Sequence, residues 1–163
     1  KRALAELDRA AHSYGIKLAV ECLPRTCLCN TSDEMLEVLD TLDGAGACFD
    51  ANHALQESSE EFASRLSGRT MTVHMSDYDG VDERHWLPGE GTIRWSAVID
   101  ALARGGYSGP FMFEVDPDQW SSSSRRISSM MESAIASCSD CSSGVSVGLR
   151  KRRCCAILRT NSA

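Results

Sequence analysis

Residues 70–75 read Thr-Met-Thr-Val-His-Met, a short apolar run that is typical of a buried β-strand. Three similar runs occur along the chain, at residues 16–23, 47–50 and 111–115. Apolar residues at helical spacing precede the four runs, over residues 2–14, 33–42, 56–66 and 93–103. Short, nearly continuous apolar strands that alternate with helices predict an α/β fold whose parallel sheet is covered by helices.

Each predicted strand ends in a residue that can do chemistry. These residues are Glu21, Asp50, His74 and Glu114. Because ligands bind at the carboxyl ends of strands in α/β folds, we expect the four side chains to share one rim. Taken singly, each of them is more readily explained as an ordinary rim or core residue. The case for function rests on four consecutive strands ending in the same way.

Two glutamates, one aspartate and one histidine make an oxygen-rich ligand set with one imidazole. That set suits Mn²⁺ or Mg²⁺ best, with Co²⁺ and Zn²⁺ left open. Glu21 and Glu114 could also act on opposite faces of a substrate, one taking a proton from carbon and the other returning one. The cation would polarise the neighbouring carbonyl and stabilise an enediolate.

Composition and charge exclude several classes of protein. Mean hydropathy is −0.24, and no apolar run approaches the roughly 18 residues of a membrane-spanning helix. Residues 1–120 contain ten basic and twenty-one acidic residues, and such an acidic body is a poor non-specific binder of nucleic acid. We therefore expect no membrane or nucleic-acid partner, and a cytoplasmic protein.

The last 43 residues depart from the alternating pattern, so we divide the chain into residues 1–120 and a tail at 121–163. The tail contains 13 serines and four of the eight cysteines. We predict one helix over 126–136 and disorder beyond it. The basic run at 150–153 is interpreted as a solvated tail in preference to a nucleic-acid patch.

The eight cysteines are irregularly spaced, and unpaired reduced thiols are the favoured interpretation. Cys22 and Cys48 lie in apolar runs and are expected to serve as small core residues. A zinc site in the tail is the less favoured alternative, because its cysteines do not repeat the spacing of a zinc knuckle. Those cysteines are Cys138, Cys141, Cys154 and Cys155.

Five segments together resemble the motifs of the xylose-isomerase-like barrel superfamily, at residues 20–24, 49–54, 73–77, 87–91 and 113–115. This sugar phosphate isomerase/epimerase group also includes ketose 3-epimerases, inosose dehydratases and endonuclease IV. The resemblance covers residues 1–116. It implies a partial (β/α)₈ barrel of about four βα units, the carboxyl-terminal half of a barrel that needs about 250 residues when complete.

The resemblance also implies roles for individual residues. Glu21, Asp50, His74 and Glu114 match the metal ligands of the superfamily, and the two glutamates match its acid/base pair. His53, three residues beyond Asp50, matches a histidine that touches substrate.

The loop that leads to Pro-Gly-Glu-Gly is a further source of substrate contacts in the superfamily. Asp77, Arg84 and His85 lie in this loop, and we place Arg84 and His85 with His53 in the substrate site. The tight Asp-X-His of the endonuclease branch is absent, because residues 83–85 read Glu-Arg-His. A trinuclear zinc site is therefore not expected.

The resemblance implies a metal-dependent isomerase or epimerase of carbohydrate metabolism that acts on a small sugar or polyol. An inosose dehydratase-like lyase and a non-catalytic half-barrel are the alternatives. Half a barrel would expose two sheet edges and an apolar inner face. We therefore expect either a fragment of a longer gene product, which we favour, or a homo-oligomer whose copies complete each other.

Overall fold

The computed structural model describes residues 1–116 in full and the backbone of residues 145–151 and 154–160. Within those residues the helices are α1 (Arg2–Ser13), α2 (Ser32–Leu39), α3 (Ser59–Arg65) and α4 (Trp95–Arg104). The strands are β1 (Ala19–Glu21), β2 (Gly46–Asp50), β3 (Thr70–Met75), β4 (Phe111–Phe113), β5 (Val145–Lys151) and β6 (Cys154–Thr160).

The first four strands form a parallel sheet in the order β1-β2-β3-β4, and one helix precedes each strand. The predicted alternation of helices and parallel strands is therefore confirmed. Two predicted strands are shorter than expected. β1 begins at Ala19 rather than Ile16, whose side chain is 61% exposed, and β4 ends at Phe113, so that Glu114 follows the strand.

Packing against the helices decides which face of the sheet each residue occupies. The ring of Phe49 in β2 stacks on that of Phe62 in α3, with centroids 5.5 Å apart, and both side chains are fully buried. Because successive side chains of a strand point to opposite faces, Cys48 and Asp50 face away from the helices. Asp50 is paired with His74 in β3, so the inner face presents both side chains together.

Local capping explains where α2 begins. The side chain of Thr31 accepts a hydrogen bond from the N–H of Glu34 at 3.2 Å, as an N-cap does. Glu57, from the segment before α3, accepts hydrogen bonds from the N–H and the hydroxyl of Ser32 at 2.6 and 2.8 Å. The start of α2 is thus fixed to the loop that follows β2.

The tail differs from the prediction of disorder. β6 pairs antiparallel with β4, and β5 pairs antiparallel with β6, so a hairpin extends the sheet. Within the described residues, β1 and β5 are therefore the edge strands of the sheet. The sequences VSVGLRK and CCAILRT contain β-forming Val, Ile and Leu, and an unpaired strand edge provides the hydrogen-bonding groups for such a segment.

The predicted helix at 126–136 lies outside the described residues, and so do the side chains of the four tail cysteines. None of the helices described has the length and apolar character that crossing a membrane requires.

Candidate metal centre

Four side chains at the carboxyl ends of β1 to β4 meet at one point of the rim. Each contributes one ligand atom, and these atoms all lie within 4.8 Å of one another, from Glu21, Asp50, His74 and Glu114. The structure thus brings together the four residues that the strand ends singled out. The backbone fixes the last of them, because the N–H of Glu114 donates to the carbonyl of Met75 at 3.1 Å.

The His74 ring is the centre of this group. Its Nδ1 lies 2.7 Å from Oε2 of Glu114, 3.3 Å from Oε1 of Glu21 and 3.6 Å from Oδ2 of Asp50. A ring nitrogen offers one proton or one lone pair, so it cannot satisfy three carboxylates. Among the described residues, neither Nδ1 of His74 nor the buried Oδ2 of Asp50 has a well-directed hydrogen-bond partner.

These donors fit a divalent cation. Three carboxylates surround one imidazole, so the group is net negative even when the ring is protonated. Asp50 is fully buried, and only its Oδ1 is hydrogen-bonded, accepting the N–H of Asn52 at 2.8 Å. A buried carboxylate oxygen without a partner is costly, and a hard cation with oxygen ligands would remove that cost.

The carboxylates around His74 also change the pKa of its ring when no ion is bound. The nearby side chain of Asp50, followed by Cys48, Glu114 and Glu21, raises the pKa of His74. In return, the nearby His74 ring lowers the pKa of Glu114 despite partial burial. Glu114 is therefore ionised near neutral pH.

Two buried cysteines lie close to these ligands. Cys22 and Cys48 are 1% and 5% exposed, so their predicted place in the core is confirmed. The thiol of Cys22 makes two hydrogen bonds to the backbone of Asp50. Its Sγ accepts one from the N–H at 3.1 Å and donates one to the carbonyl at 3.4 Å. Burial, followed by the charge of Asp50, raises the pKa of Cys22 well above its ordinary value.

Two further histidines line the rim beside the four ligands. His53 donates from Nδ1 to the carbonyl of Cys22 at 2.9 Å, and the same nitrogen is 3.6 Å from Oδ2 of Asp50. Nδ1 of His85 is 3.0 Å from the carbonyl of Glu114, and the two imidazole rings meet edge to face with centroids 6.0 Å apart. Both predicted substrate histidines therefore lie next to the centre.

Arg84, by contrast, is held away from the ligands. Its Nε donates to Oδ2 of Asp79 at 2.7 Å, and its backbone N–H donates to Oδ1 of Asn52 at 3.2 Å. Asp79 also accepts the N–H groups of Val81 and Asp82, both at 2.9 Å. The N–H of Asp82, followed by the Arg84 guanidinium, lowers the pKa of Asp79 to about 2.

Asp77 organises the loop instead of facing a substrate. It is fully buried, and its Oδ1 accepts the N–H of Tyr78 at 3.0 Å and that of Ile93 at 3.1 Å. Its Oδ2 accepts the N–H of Gly89 at 2.7 Å and the indole N–H of Trp95 at 3.0 Å. The Pro-Gly-Glu-Gly segment is therefore positioned by this carboxylate.

One contact across the rim had no signal in the sequence. Arg25, in the loop after β1, pairs with Asp82 at 2.7 Å and with Glu83 at 2.6 Å, in the loop after β3. These residues are 57 and 58 positions apart. The two loops are joined above the end of β2, which lies between them.

A cavity of about 260 Å³ opens at the other end of the strands, between the start of β3 and the turn after α4. Its lining includes Ser67, Thr70, Met71, Tyr107 and Ser108, and no carboxylate, histidine or cysteine of residues 1–116 contributes to it. The chemistry-bearing residues are therefore at the rim and not in this cavity.

Comparison with known proteins agrees with this geometry. The sequence matches the xylose isomerase-like TIM barrel family over residues 1–133. The chain belongs to that family.

Three relatives illustrate the similarity. The uncharacterized protein MJ1311 of Methanocaldococcus jannaschii is 33% identical over 119 residues, which are 68% of this chain and 41% of that protein. An inosose isomerase of Halalkalibacterium halodurans is 27% identical over 123 residues, 69% of this chain and 44% of that protein. A crystal structure of a D-tagatose 3-epimerase-like protein superposes with a TM-score of 0.71 at 27% identity, covering 82% of this chain and 52% of that one.

The chain therefore resembles sugar epimerases and inosose isomerases, and it has the fold of half a TIM barrel. It spans less than half the length of these two curated relatives.

Proposed function

We propose that this chain carries the metal-binding half of a divalent-metal-dependent sugar isomerase or epimerase. One observation carries the proposal: ligand atoms from four successive strand ends converge within 4.8 Å on the inner face of the sheet. The similarity to an inosose isomerase and to a D-tagatose 3-epimerase-like protein supports the same class of reaction.

Glu21, Asp50, His74 and Glu114 would hold the ion. Their three carboxylates and single imidazole favour Mn²⁺ or Mg²⁺, and also accommodate Co²⁺ or Zn²⁺. When bound, the cation polarises a substrate carbonyl and so makes the neighbouring C–H bond more acidic.

Glu21 and Glu114 are proposed as the acid/base pair. They follow the first and fourth parallel strands, so Asp50 and His74 lie between them in the sheet. Their side chains are 36% and 48% exposed, whereas that of Asp50 is fully buried, so the glutamates are the carboxylates that a substrate can reach. One glutamate takes a proton from the carbon beside the carbonyl, and the other delivers a proton to the opposite face.

Glu114 can accept the proton, because its carboxylate is half exposed and therefore within reach of a substrate. His53 and His85 lie next to it and would bind hydroxyl groups of a small sugar or polyol. Arg84 would join them only after release from Asp79, which binds its Nε. A cytoplasmic location, a role in carbohydrate metabolism and a homo-oligomeric state stay predictions.

The test measures exchange and metal binding in the same preparation. Mn²⁺ is titrated into the full chain, and its binding is measured by calorimetry. The metal-loaded chain is then incubated with a panel of ketoses and inososes in D₂O. We expect solvent deuterium to enter the carbon beside the carbonyl. Glu114→Gln should abolish this exchange, and the control Glu61→Gln, an exposed position on α3, should not.

The other outcomes each reject part of the proposal. Exchange that persists in Glu114→Gln overturns the acid/base assignment. Formation of a product that has lost water would show that the chain is a dehydratase and not an epimerase. Mn²⁺ binding without exchange on any substrate favours a half-barrel that binds metal without catalysis.

A further inference from the structure

We propose that Glu21, Cys48 and His74 form a second, deeper metal site that takes a thiophilic divalent cation such as Zn²⁺ or Cd²⁺. The site shares two ligands with the oxygen-rich centre and replaces Asp50 and Glu114 with a thiolate. It does not depend on the sugar chemistry proposed above.

The geometry of neighbouring strands brings the three residues together. Glu21 of β1 and Cys48 of β2 are direct register partners, so their side chains leave the sheet on the same face. Cys48 precedes Asp50 by two residues and therefore shares its face, one step further into the barrel. A carboxylate oxygen, the sulfur and a ring nitrogen all lie within 4.8 Å of one another.

Burial separates this site from the rim. Cys48 is 5% exposed, whereas the carboxylates of Glu21 and Glu114 at the rim are 36% and 48% exposed. The His74 ring can contribute to both sites, because it lies among the rim carboxylates and also interacts with the buried Cys48 thiol. An ion bound by Cys48 would therefore lie below the plane in which the three carboxylates meet.

The ligand chemistry selects the ion. A thiolate with imidazole and one carboxylate is a set for Zn²⁺ or Cd²⁺, whereas Mg²⁺ and Mn²⁺ prefer oxygen ligands. Binding forms the metal–sulfur bond and releases the thiol proton to solvent, as metal binding by a cysteine does. Since Glu21 and His74 serve both sites, the two ions exclude each other.

The test reads the metal–sulfur bond directly. The full chain is prepared with Ser at the exposed Cys27 and at the four tail cysteines, Cys138, Cys141, Cys154 and Cys155, so that they do not bind the probe. Cd²⁺ is titrated, and the ultraviolet thiolate-to-cadmium charge-transfer band is recorded. We expect a saturable band of one thiolate, and its bleaching when Mn²⁺ is added in excess.

Two buried cysteines provide the variant and its matched control. Cys48→Ser should abolish the band and weaken Cd²⁺ binding by at least about 100-fold, because losing a direct ligand costs more than the roughly 10- to 100-fold of an outer-shell partner. Cys22→Ser should retain the band, because Sγ of Cys22 is bound to the backbone of Asp50. Near-ultraviolet circular dichroism checks that both variants fold.

A band that survives in folded Cys48→Ser, or that disappears equally in Cys22→Ser, overturns the second site. If Cys48→Ser does not fold, ¹¹³Cd NMR of the unsubstituted background decides between sulfur and all-oxygen coordination. Neither readout uses sugar turnover. Absence of the cadmium band would therefore not contradict the proposed function, and absence of turnover would not contradict the second metal site.

Discussion

Nδ1 of His74 lies 2.7 Å from Oε2 of Glu114, yet within the described part of the chain the nitrogen has no well-directed hydrogen-bond partner. The backbones of β3 and β4 bring the two groups together, because His74 is paired with Met112 and the N–H of Glu114 binds the carbonyl of Met75. The site is therefore preorganised by the sheet. Its polar atoms are aimed at a common point instead of at each other.

Replacing Asp50 with Asn should separate metal binding from stability. We expect Mn²⁺ affinity to fall by about tenfold or more, equivalent to about 1.4 kcal/mol. The free energy of unfolding without metal should stay constant or rise, because the substitution removes a fully buried carboxylate whose Oδ2 has no partner. Calorimetry and urea denaturation measure the two quantities.

The control is Asp43→Asn, an exposed position in the turn after α2. It should change neither quantity. Unaltered Mn²⁺ affinity in Asp50→Asn would remove this residue from the metal centre.

Asp77→Ala should destabilise the fold through the loop it organises. The change leaves four donors without their acceptor, those of Tyr78, Gly89, Ile93 and Trp95. We expect a loss of about 3 kcal/mol or more in the free energy of unfolding, because each buried unsatisfied donor costs about 1–3 kcal/mol. Urea denaturation measures the loss.

Trp95→Phe is the comparison, because it removes the indole N–H donor, together with part of the buried ring, and leaves the three backbone donors bound to Asp77. Its cost should be about 1–3 kcal/mol, from the lost hydrogen bond and the smaller ring. Equal losses in the two variants would show that the backbone donors find other partners and that Asp77 is not an organising residue.

Asp79 should titrate well below an ordinary aspartate. Its pKa is lowered to about 2, from a usual value of about 3.9, by the N–H of Asp82 and the guanidinium of Arg84. Because the pKa of Asp79 is lower in the folded than in the unfolded state, its ionised carboxylate stabilises the fold at pH values above the pKa of the unfolded state. That contribution is therefore complete above about pH 4 and is lost as the pH falls toward about 2.

Carboxyl ¹³C NMR measures this titration directly. Arg84→Gln should raise the pKa of Asp79 only in part, because the N–H groups of Val81 and Asp82 still bind its Oδ1. A normal pKa for Asp79 in the unmodified chain would contradict the arrangement of this loop.

His53 should carry its proton on Nδ1 when the ring is neutral. The carbonyl of Cys22 can only accept, so Nδ1, at 2.9 Å, must be the donor and Nε2 must keep its lone pair. Long-range ¹H–¹⁵N NMR distinguishes the two tautomers. The exposed His12 of α1 serves as the reference and should show the mixture typical of a solvated imidazole. The Nε2–H tautomer at His53 would exclude the hydrogen bond to Cys22.

Strand positions were predictable where the sequence alone limits the alternatives. Residues 70–75 form β3 with the predicted bounds, because β-branched and apolar residues fill the run and glycine precedes it. The ends of β1 and β4 were less certain, since hydrogen bonding to a neighbouring strand decides where a strand stops. The pairing of β4 with β6 was missed because it joins residues more than 40 positions apart.

The candidate site was likewise predictable only in part. The sequence placed Glu21, Asp50, His74 and Glu114 at strand ends, and parallel strands necessarily carry those ends to one edge. It could not show that Asp77 accepts hydrogen bonds from three backbone N–H groups and from the indole of Trp95. It also could not show that Asp79 holds Arg84.

The sequence by itself determined the alternation of elements and the identity of the rim residues, because both follow from local periodicity and from the direction of the strands. Only the tertiary structure decided that the protein satisfies the carboxylate of Asp77 and leaves Oδ2 of Asp50 without a hydrogen bond among the described residues. It also decided that the Cys48 thiol lies within 4.8 Å of a ring nitrogen of His74. Those outcomes depend on hydrogen bonds and strand register between distant segments, which local sequence does not encode.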